Sequence, residues 1–419
     1  MAPHSSTPLL IENIRSLAAV PPGPLRGSQM DAWPIIDQAA LLIEDGRISW
    51  FGPASDAPRT EGARRLDAGG GTLIPGLIDC HTHIPFAGDR VHEFVRRIRG
   101  ETYLAILQSG GGIRVTTRAV RAASLAELMA QNEPRLRRML VDGVTTVECK
   151  SGYGLSPADE RKQLCAIADL SARTPLELVP TYMGAHALPV EFEGRPDEFI
   201  DAVSEPVFLA QLAGGLAHFC DVFCDRGAFT VEQARRYLTR AQAAGLKLKL
   251  HADELAQIGA SRLAGELGAV SADHLEHLDD AGIAAMKAAG TVAVVLPGTS
   301  FFLGIPHADA RRMIAAGLAV AIATDFNPGS CMIESLPFVL NVACCQLRLL
   351  PREVLAACTA NAAAALALQD RIGSISVGYQ ADLTILEAGS LDEWLYRPGR
   401  HAVRAVIKRG AVVAGPKAE

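Results

Sequence analysis

The chain has 419 residues, of which 49% are hydrophobic and 21% are charged, and its formal net charge is −6. This composition is sufficient for a large buried core, and the length allows more than one domain. The acidic balance argues against a nucleic acid or a membrane as a partner, because both attract a basic surface, and no uninterrupted apolar run reaches the length of a membrane span.

Both ends of the chain predict short β-strands. Residues 1–72 contain strand-like runs such as A-A-L-L-I-E-D-G-R-I-S-W-F-G, in which Asp-Gly indicates a hairpin. Residues 372–419 have a similar pattern, for example in A-V-R-A-V-I-K-R-G-A-V-V. We therefore expect one small β-sandwich domain formed from both chain termini.

The middle of the chain, residues 73–371, alternates short apolar strands with amphipathic helical stretches, which is typical of βαβ units. Eight candidate strands end at or near His83, Lys150, His186, Asp225, His251, His274, Pro297 and Asp325. Eight parallel strands that are each followed by a helix form a closed barrel. The predicted fold class is therefore α/β, with a (β/α)8 TIM-like barrel.

Polar residues lie at the carboxyl ends of these strands. They are His81, His83, His186, His251, His274 and Asp325. In a (β/α)8 barrel this end carries the chemistry, and a random distribution of the 11 histidines does not produce such a pattern. A long segment, residues 84–113, follows the first strand, and a loop of this length is usually functional or disordered.

The strand ends predict a metal site. His81 and His83 are two residues apart on one strand, so their side chains point the same way and can bind one ion. His251 supplies a third ligand, and Asp325 can bind the metal and accept a proton from its water. A metal ion lowers the pKa of bound water from about 15.7 toward 7. Histidine and aspartate suit both Zn²⁺ and Fe, so the sequence does not distinguish between these metals.

Two further residues predict acid/base chemistry. Glu254 lies three residues after His251, about one helical turn, and can therefore lean over the metal and transfer a proton. His274 could bind the metal or stabilise an oxyanion, and we prefer the second role because the four ligands already complete the metal site. A single buried histidine is often only a hydrogen-bonded core residue. The ordered occurrence of all six strand-end residues argues against that interpretation.

The nine cysteines are odd in number and scattered, which predicts reduced thiols. Cys220 and Cys224 could form half of a zinc site, but no second pair follows at suitable spacing, so we interpret them as core residues. The first residues have neither a basic segment nor an apolar signal segment. We therefore expect a cytoplasmic protein.

The motifs H-T-H, H-A-D-E, A-D-H and A-T-D resemble the amidohydrolase superfamily, in its branch with one metal. Dinuclear members use a carboxylated lysine on strand four, whereas here Lys150 closes strand two and strand four has no lysine. The longer motifs C-H-T-H-I-P-F-A-G-D-R, V-E-C-K-S-G-Y-G-L, Y-M-G-A-H-A-L-P and A-T-D-F-N-P-G-S resemble the imidazolonepropionase family. This resemblance implies hydrolysis of 4-imidazolone-5-propanoate to N-formimino-L-glutamate in histidine degradation, with zinc or iron.

Several residues suit a substrate that carries a propionate and a flat polar ring. The candidates for substrate binding are Arg90, Tyr103, Tyr153, His186, Glu254, Asn327, Gly329 and Ser330. Arg90 can pair with the carboxylate through two hydrogen bonds, although it could instead belong to a solvated basic face. Tyr153 has flanking glycines that let backbone approach a ligand. Tyr103 lies in a helix-like stretch and could instead be a core residue.

Two alternative functions remain at this stage. A deaminase of the same superfamily, acting on a nucleobase-like substrate, would have the same metal site, although Arg90, Tyr153 and His186 suit a small carboxylate better. A barrel that has lost its metal and acts as a binding or scaffold protein is the second alternative, and the complete ligand set argues against it. A homodimer is expected from the frequency of this state among oligomeric enzymes.

Overall fold

The computed structural model describes residues 7–101, 105, 109–416 and 418. The strands are β1 (Leu9–Ala18), β2 (Ile35–Glu44), β3 (Arg47–Pro53), β4 (Arg64–Asp67), β5 (Thr72–Pro75), β6 (Leu77–Asp79), β7 (Val144–Lys150), β8 (Glu177–Ala185), β9 (Phe219–Cys224), β10 (Lys247–Ala252), β11 (Ser271–His274), β12 (Val292–Val295), β13 (Val320–Ile322), β14 (Leu383–Leu386), β15 (Val403–Lys408) and β16 (Ala411–Ala414).

Helices follow or precede most of these strands. They are α1 (Val91–Ile98), α2 (Ile113–Ala122), α3 (Leu125–Val141), α4 (Pro157–Ser171), α5 (Pro196–Val203), α6 (Pro206–Ala213), α7 (Val231–Ala243), α8 (Ala260–Glu266), α9 (Asp280–Ala289), α10 (Pro297–Leu303), α11 (Ala310–Ala315), α12 (Leu336–Leu347), α13 (Pro351–Cys358), α14 (Ala360–Ala365) and α15 (Leu391–Leu395). Short 3₁₀ helices span Gly27–Met30, Ala54–Asp56 and Val190–Phe192.

Strands β6 to β13 form a parallel barrel in which each strand pairs with the next along the chain. The first and last strands are joined just beyond their ends by a parallel bridge between Thr82 and Phe326. There the Asp325 amide donates to the His81 carbonyl at 3.0 Å, and the His83 amide donates to the Phe326 carbonyl at 3.0 Å. The predicted barrel is confirmed, and its closure brings polar residues from both ends of the barrel sequence together.

The remaining strands form a separate sheet in the order β16-β15-β14-β5-β1-β2-β3, with β4 also paired to β1. Both termini contribute, because β14 from the C-terminal part pairs antiparallel with β5 from the N-terminal part. Its buried face holds aliphatic side chains such as Ile11, Leu41, Leu383 and Ile407. The expectation of a small β-domain built from both ends of the chain is confirmed.

A buried ionic group joins the sheet of the termini to the barrel. Glu177 begins β8 and accepts a hydrogen bond from Lys408, the last residue of β15, at 3.4 Å, and it also pairs with Arg371 and Arg409. Burial alone would raise the pKa of Glu177, but Lys408, Arg371 and Arg409 together lower it to about 2. The ionised carboxylate therefore stabilises the contact between the two sheets.

We expect Glu177→Gln to lower the free energy of unfolding by about 2–4 kcal/mol, because an uncharged amide would then lie beside the buried Lys408 and the half-buried Arg371. The pKa of Glu177 is lower in the folded chain than in the unfolded chain. This stabilisation is therefore complete above about pH 4.5 and is lost as the pH falls toward 2. Urea unfolding of wild type and variant at pH 7 and at pH 3 measures both effects.

The matched control is Glu198→Gln, because Glu198 pairs with Arg195 at 2.8 Å while its side chain is 62% exposed. An exposed pair of this kind contributes less than about 1 kcal/mol. Equal losses in the two variants would contradict a stabilising role for the buried group.

Within the described part of the chain, no helix is both long and apolar enough to cross a membrane. The nine cysteines all lie among the described residues and are free thiols. Cys220 and Cys224 are buried in the hydrophobic core around the barrel, in agreement with their interpretation as core residues.

Candidate active site

Four buried side chains converge at the carboxyl end of the barrel. The Asp325 Oδ1 atom lies 3.3 Å from His83 Nε2 and 3.5 Å from His81 Nε2. His251 Nε2 lies 3.3 Å from His83 Nε2. The donor atoms of His81, His83 and His251 form a cluster that could hold a metal ion, and those of His81, His274 and Asp325 form an overlapping one.

The chemistry of these atoms fits a metal ion. His81 Nε2 and Asp325 Oδ1 are buried and have no hydrogen-bond partner within the part of the chain that the structure describes. Buried polar atoms normally have a partner, because an unsatisfied one costs free energy. Imidazole nitrogen and carboxylate oxygen are the ligands that zinc and iron accept in proteins. The group therefore has the composition and the unsatisfied atoms of a site for a divalent cation.

Two further carboxylates orient the histidine rings. His81 Nδ1 contacts Asp273 Oδ2 at 2.6 Å, and His251 Nδ1 lies 3.1 Å from Asp221 Oδ2. A carboxylate on one ring nitrogen fixes the proton there, so the other nitrogen remains free to bind a metal. Thr299 similarly donates to Asp325 Oδ2 at 2.6 Å. None of these three residues was predicted from the sequence, although the alternation of side chains along barrel strands points Asp221 and Asp273 inward.

Beneath the histidines lies a fully buried ionic cluster. It consists of Glu148, Lys150, Asp221, Lys249 and Asp273. Lys150 donates to Asp221 at 2.7 Å, and Lys249 donates to Glu148 at 2.8 Å. Burial would lower the pKa of Lys150, but Asp221 and Glu148 raise it above its usual range. By formal charge, three acidic and two basic residues leave one excess negative charge, Asp325 adds a second, and a divalent cation would balance both.

Glu254 lies in a bend two residues beyond β10, not in the helical turn that the sequence spacing predicted. Asp225 positions the bend, because its Oδ2 atom accepts from the Glu254 amide at 2.7 Å and from the Leu255 amide at 2.8 Å. Burial raises the pKa of Glu254, the nearby Glu276 and Asp325 act in the same direction and His274 opposes them, so that the pKa is about 7. A carboxyl group with this pKa can both accept and return a proton at neutral pH.

His274 ends β11 with a φ of 82°, and Leu275 follows with a φ of 71°. Such positive values are strained for side chains other than glycine, and they occur where the surrounding structure imposes them. Asp325 also has a positive φ, of 53°. This backbone conformation places the His274 ring beside the metal-binding cluster. Its Nδ1 atom lies 3.7 Å from Glu254 Oε2.

A second group of residues borders the cluster. The rings of His186 and His83 stack with centroids 5.0 Å apart, and Tyr153 lies 5.3 Å from His186. The Arg90 guanidinium packs on Gly329, where a Cβ atom would lie only 2.3 Å from Arg90 Nη2, so this approach requires glycine. Arg90 Nε is buried and has no partner among the residues that the structure describes. This border therefore presents an unsatisfied cationic donor.

The loop after Asp325 is held by Asn327. Its Oδ1 atom accepts from the amides of Gly329 and Ser330, both at 2.8 Å, and its Nδ2 atom donates to the Asp325 carbonyl at 2.7 Å. The side chain of Asn327 therefore shapes the turn on which Arg90 rests. Tyr103, the other aromatic candidate from the sequence, lies outside the described residues.

Curated relatives match nearly the whole chain. The imidazolonepropionase of Symbiobacterium thermophilum is 47% identical over 411 residues, which cover 97% of this chain and 97% of the relative. Those of Brevibacillus brevis and Chloroflexus aggregans are 45% and 46% identical, and they cover 97% and 98% of this chain and 98% and 97% of their own lengths.

Solved structures share the fold at lower identity. An adenosine deaminase from Xanthomonas campestris with bound zinc has a TM-score of 0.74 and 21% identity, over 99% of this chain and 94% of its own. An atrazine chlorohydrolase from Arthrobacter aurescens TC1 complexed with zinc has a TM-score of 0.69 and 17% identity, over 97% and 95%. The model of the amidohydrolase family matches residues 85–414. The chain therefore belongs to the amidohydrolases and, within them, to the imidazolonepropionase family.

Proposed function

We propose that the chain hydrolyses the ring C–N bond of 4-imidazolone-5-propanoate to give N-formimino-L-glutamate. The observation that carries this proposal is the pairing of two features at one barrel mouth. One is a buried group of three histidines and Asp325 that fits a metal, and the other is the Arg90 guanidinium beside Tyr153 and His186, whose buried Nε atom has no partner among the described residues. The first suits hydrolysis, and the second suits the propionate of this substrate. The name shared by the curated relatives supports the same activity.

The proposed metal ligands are His81, His83, His251 and Asp325, which would hold one Zn²⁺ or Fe ion per subunit. Bound there, the ion supplies a water molecule that is acidic enough to react at neutral pH. The outer contacts of His81 with Asp273, of His251 with Asp221 and of Asp325 with Thr299 support this assignment, since each orients a proposed ligand.

Glu254 is the proposed general base and acid. It accepts the proton of the attacking water as the new C–O bond forms, and it delivers that proton to the ring nitrogen as the C–N bond breaks. Asp325 can assist by accepting a proton from the same water. His274 donates a hydrogen bond to the carbonyl oxygen, where negative charge develops. The pKa of about 7 for Glu254 and its 3.7 Å separation from His274 support a shared site of action.

The propionate and ring are bound by the residues that border the metal site. We assign this role to Arg90, Tyr153, His186, Glu254, Asn327, Gly329 and Ser330, and, from the sequence alone, to Tyr103. Arg90 pairs with the carboxylate, and Asn327 acts by shaping the loop that carries Gly329 and Ser330.

We expect Arg90→Met to raise KM by roughly 10- to 100-fold, with a smaller effect on kcat. A hydrogen bond to a charged group contributes about 1.5–3 kcal/mol, and this contact lies away from the reacting bond. Steady-state kinetics measures the effect. Arg97→Met is the matched control, because Arg97 lies over the ring of Phe302 and should leave KM unchanged. Equal effects in both variants would contradict a carboxylate contact.

The direct test of the function is turnover by the metal-loaded protein. Freshly prepared imidazolone propionate should lose its ultraviolet absorbance, and N-formimino-L-glutamate should accumulate without release of ammonia. Failure of the folded, metal-loaded protein to convert it would overturn the proposal. Ammonia release from adenosine, guanine or cytosine would then favour the deaminase alternative.

We also propose a cytoplasmic homodimer. Two-fold dimers are the commonest oligomers of enzymes, and the free thiols suit a reducing compartment. Sedimentation velocity of the purified protein tests the dimer, and a monomer at micromolar concentration would contradict it.

A further inference from the structure

Glu276, in the turn after β11, is a buried carboxyl group that the proposed mechanism leaves unused. Its side chain is only 3% exposed. One carboxyl oxygen, Oε1, accepts a hydrogen bond from Ser300 at 3.1 Å. The other, Oε2, is buried and has no hydrogen-bond partner in the described chain. An unsatisfied buried oxygen costs free energy, so its retention points to a ligand or to a transient partner.

The nearest unsatisfied atom belongs to His274. Its Nδ1 atom is also buried without a partner among the described residues, and it lies 4.0 Å from Glu276 Oε2 and 3.7 Å from Glu254 Oε2. A hydrogen bond requires a separation of about 2.7–3.2 Å, so a shift of about 1 Å would complete either contact. His274 therefore lies between two carboxyl groups, either of which can hold it.

Glu254 cannot serve continuously as that holder. In the proposed reaction it must contact the attacking water and then the leaving nitrogen, and each contact uses its carboxyl oxygens. If Glu254 alone oriented His274, the histidine would lose its partner during the proton transfer. Glu276 has no proton-transfer role in the proposed reaction and is anchored by Ser300, so it can hold the ring throughout.

We propose that Glu276 is a positioning residue that holds His274 by its Nδ1 atom, which leaves Glu254 free to move protons. The inference rests on the proposed function. Burial raises the pKa of Glu276 to about 8, and Asp325 and Asp225 add to the effect against the opposing bond from Ser300. A proton held between Glu276 Oε2 and His274 Nδ1 would satisfy both of these buried atoms. The His274 proton then lies on Nε2, where it can reach the substrate oxygen.

Kinetics of two variants provide the first test. Glu276→Met keeps the length of the side chain but removes the donor, and we expect kcat to fall about 10- to 100-fold, as for a misplaced catalytic group, with KM unchanged. Glu276→Gln keeps a donor and should recover most of kcat. Wild-type kcat in folded E276M would overturn the proposal. Equal losses in E276Q and E276M would also overturn it and assign Glu276 a direct proton transfer.

A second readout does not depend on turnover. Nitrogen NMR of ¹⁵N-histidine-labelled protein distinguishes the two neutral tautomers, and comparison with His274→Asn assigns the signal. We expect the Nε2–H form of His274 in the wild type and in E276Q, and a mixture of tautomers in E276M. An unchanged tautomer in E276M would overturn the positioning role. If wild-type protein fails to convert imidazolone propionate, the proposed function fails, while this spectrum still decides the role of Glu276.

Discussion

Glu254→Gln should lower kcat by about 10²- to 10⁴-fold, which is the usual contribution of a positioned acid or base. The amide has nearly the same shape as the carboxyl group, so Asp225 still holds the backbone of the bend through the Glu254 and Leu255 amides. The metal ligands are not altered. We therefore expect the variant to bind its metal and to unfold at the wild-type temperature, with KM nearly unchanged. Stopped-flow and steady-state assays measure the loss, and metal analysis measures the ion content.

The pH profile separates this role from a structural one. Because Glu254 must be deprotonated to accept a proton, wild-type kcat/KM should fall as the pH drops through the pKa of Glu254. That pKa is about 7 from burial and neighbouring acids, and a bound cation would lower it, so the acidic limb should have an apparent pKa at or below about 7. The residual activity of E254Q should lack this limb. An unchanged limb in E254Q, or kcat within threefold of wild type, would contradict the assignment.

The framework of the site could be predicted because barrels obey strong local rules. Histidines two residues apart on a strand share a direction, and parallel strands end at the same face, so His81, His83, His251 and Asp325 were expected together before any coordinates. The structure places His81 Nε2 and His83 Nε2 at 3.5 and 3.3 Å from Asp325 Oδ1, and His251 Nε2 at 3.3 Å from His83 Nε2. The β-strands at both ends of the chain could also be predicted from the sequence, although the pairing of β14 with β5 depends on long-range contacts.

Other features depend on contacts that sequence spacing does not contain. Glu254 was expected one helical turn after His251, but Asp225, from a neighbouring strand, holds it in a bend. Asp221 comes from β9, which pairs with the strand of His251, whereas Asp273 comes from β11, which does not pair with the strand of His81. Only the barrel register places both carboxylates behind the histidine rings. Glu276 follows a residue with positive φ, which turns the chain in a way that no periodicity predicts.

His251→Ala should weaken metal binding by more than about 100-fold, since loss of even an outer hydrogen-bond partner typically costs 10- to 100-fold. The variant also leaves Asp221 without its imidazole partner. Activity should be lost with the metal, and excess zinc should restore only part of it. Competition with a chromophoric chelator measures the affinity, independently of turnover.

Two further variants show whether the loss of metal affinity is specific to the proposed ligands and their hydrogen-bond partners. Thr299→Val removes only the hydrogen bond to Asp325 Oδ2, so its affinity should fall between wild type and H251A. His277→Ala shows whether the loss of any histidine lowers metal affinity. His277 lies in an exposed turn three residues after His274, so this variant should bind metal normally. If H251A bound the ion with wild-type affinity, His251 would not be one of its ligands. A loss of affinity in H251A alone would retain His251 as a ligand. It would also show that Thr299 does not orient Asp325 for the metal, because a hydrogen bond that orients a ligand must affect affinity when it is broken.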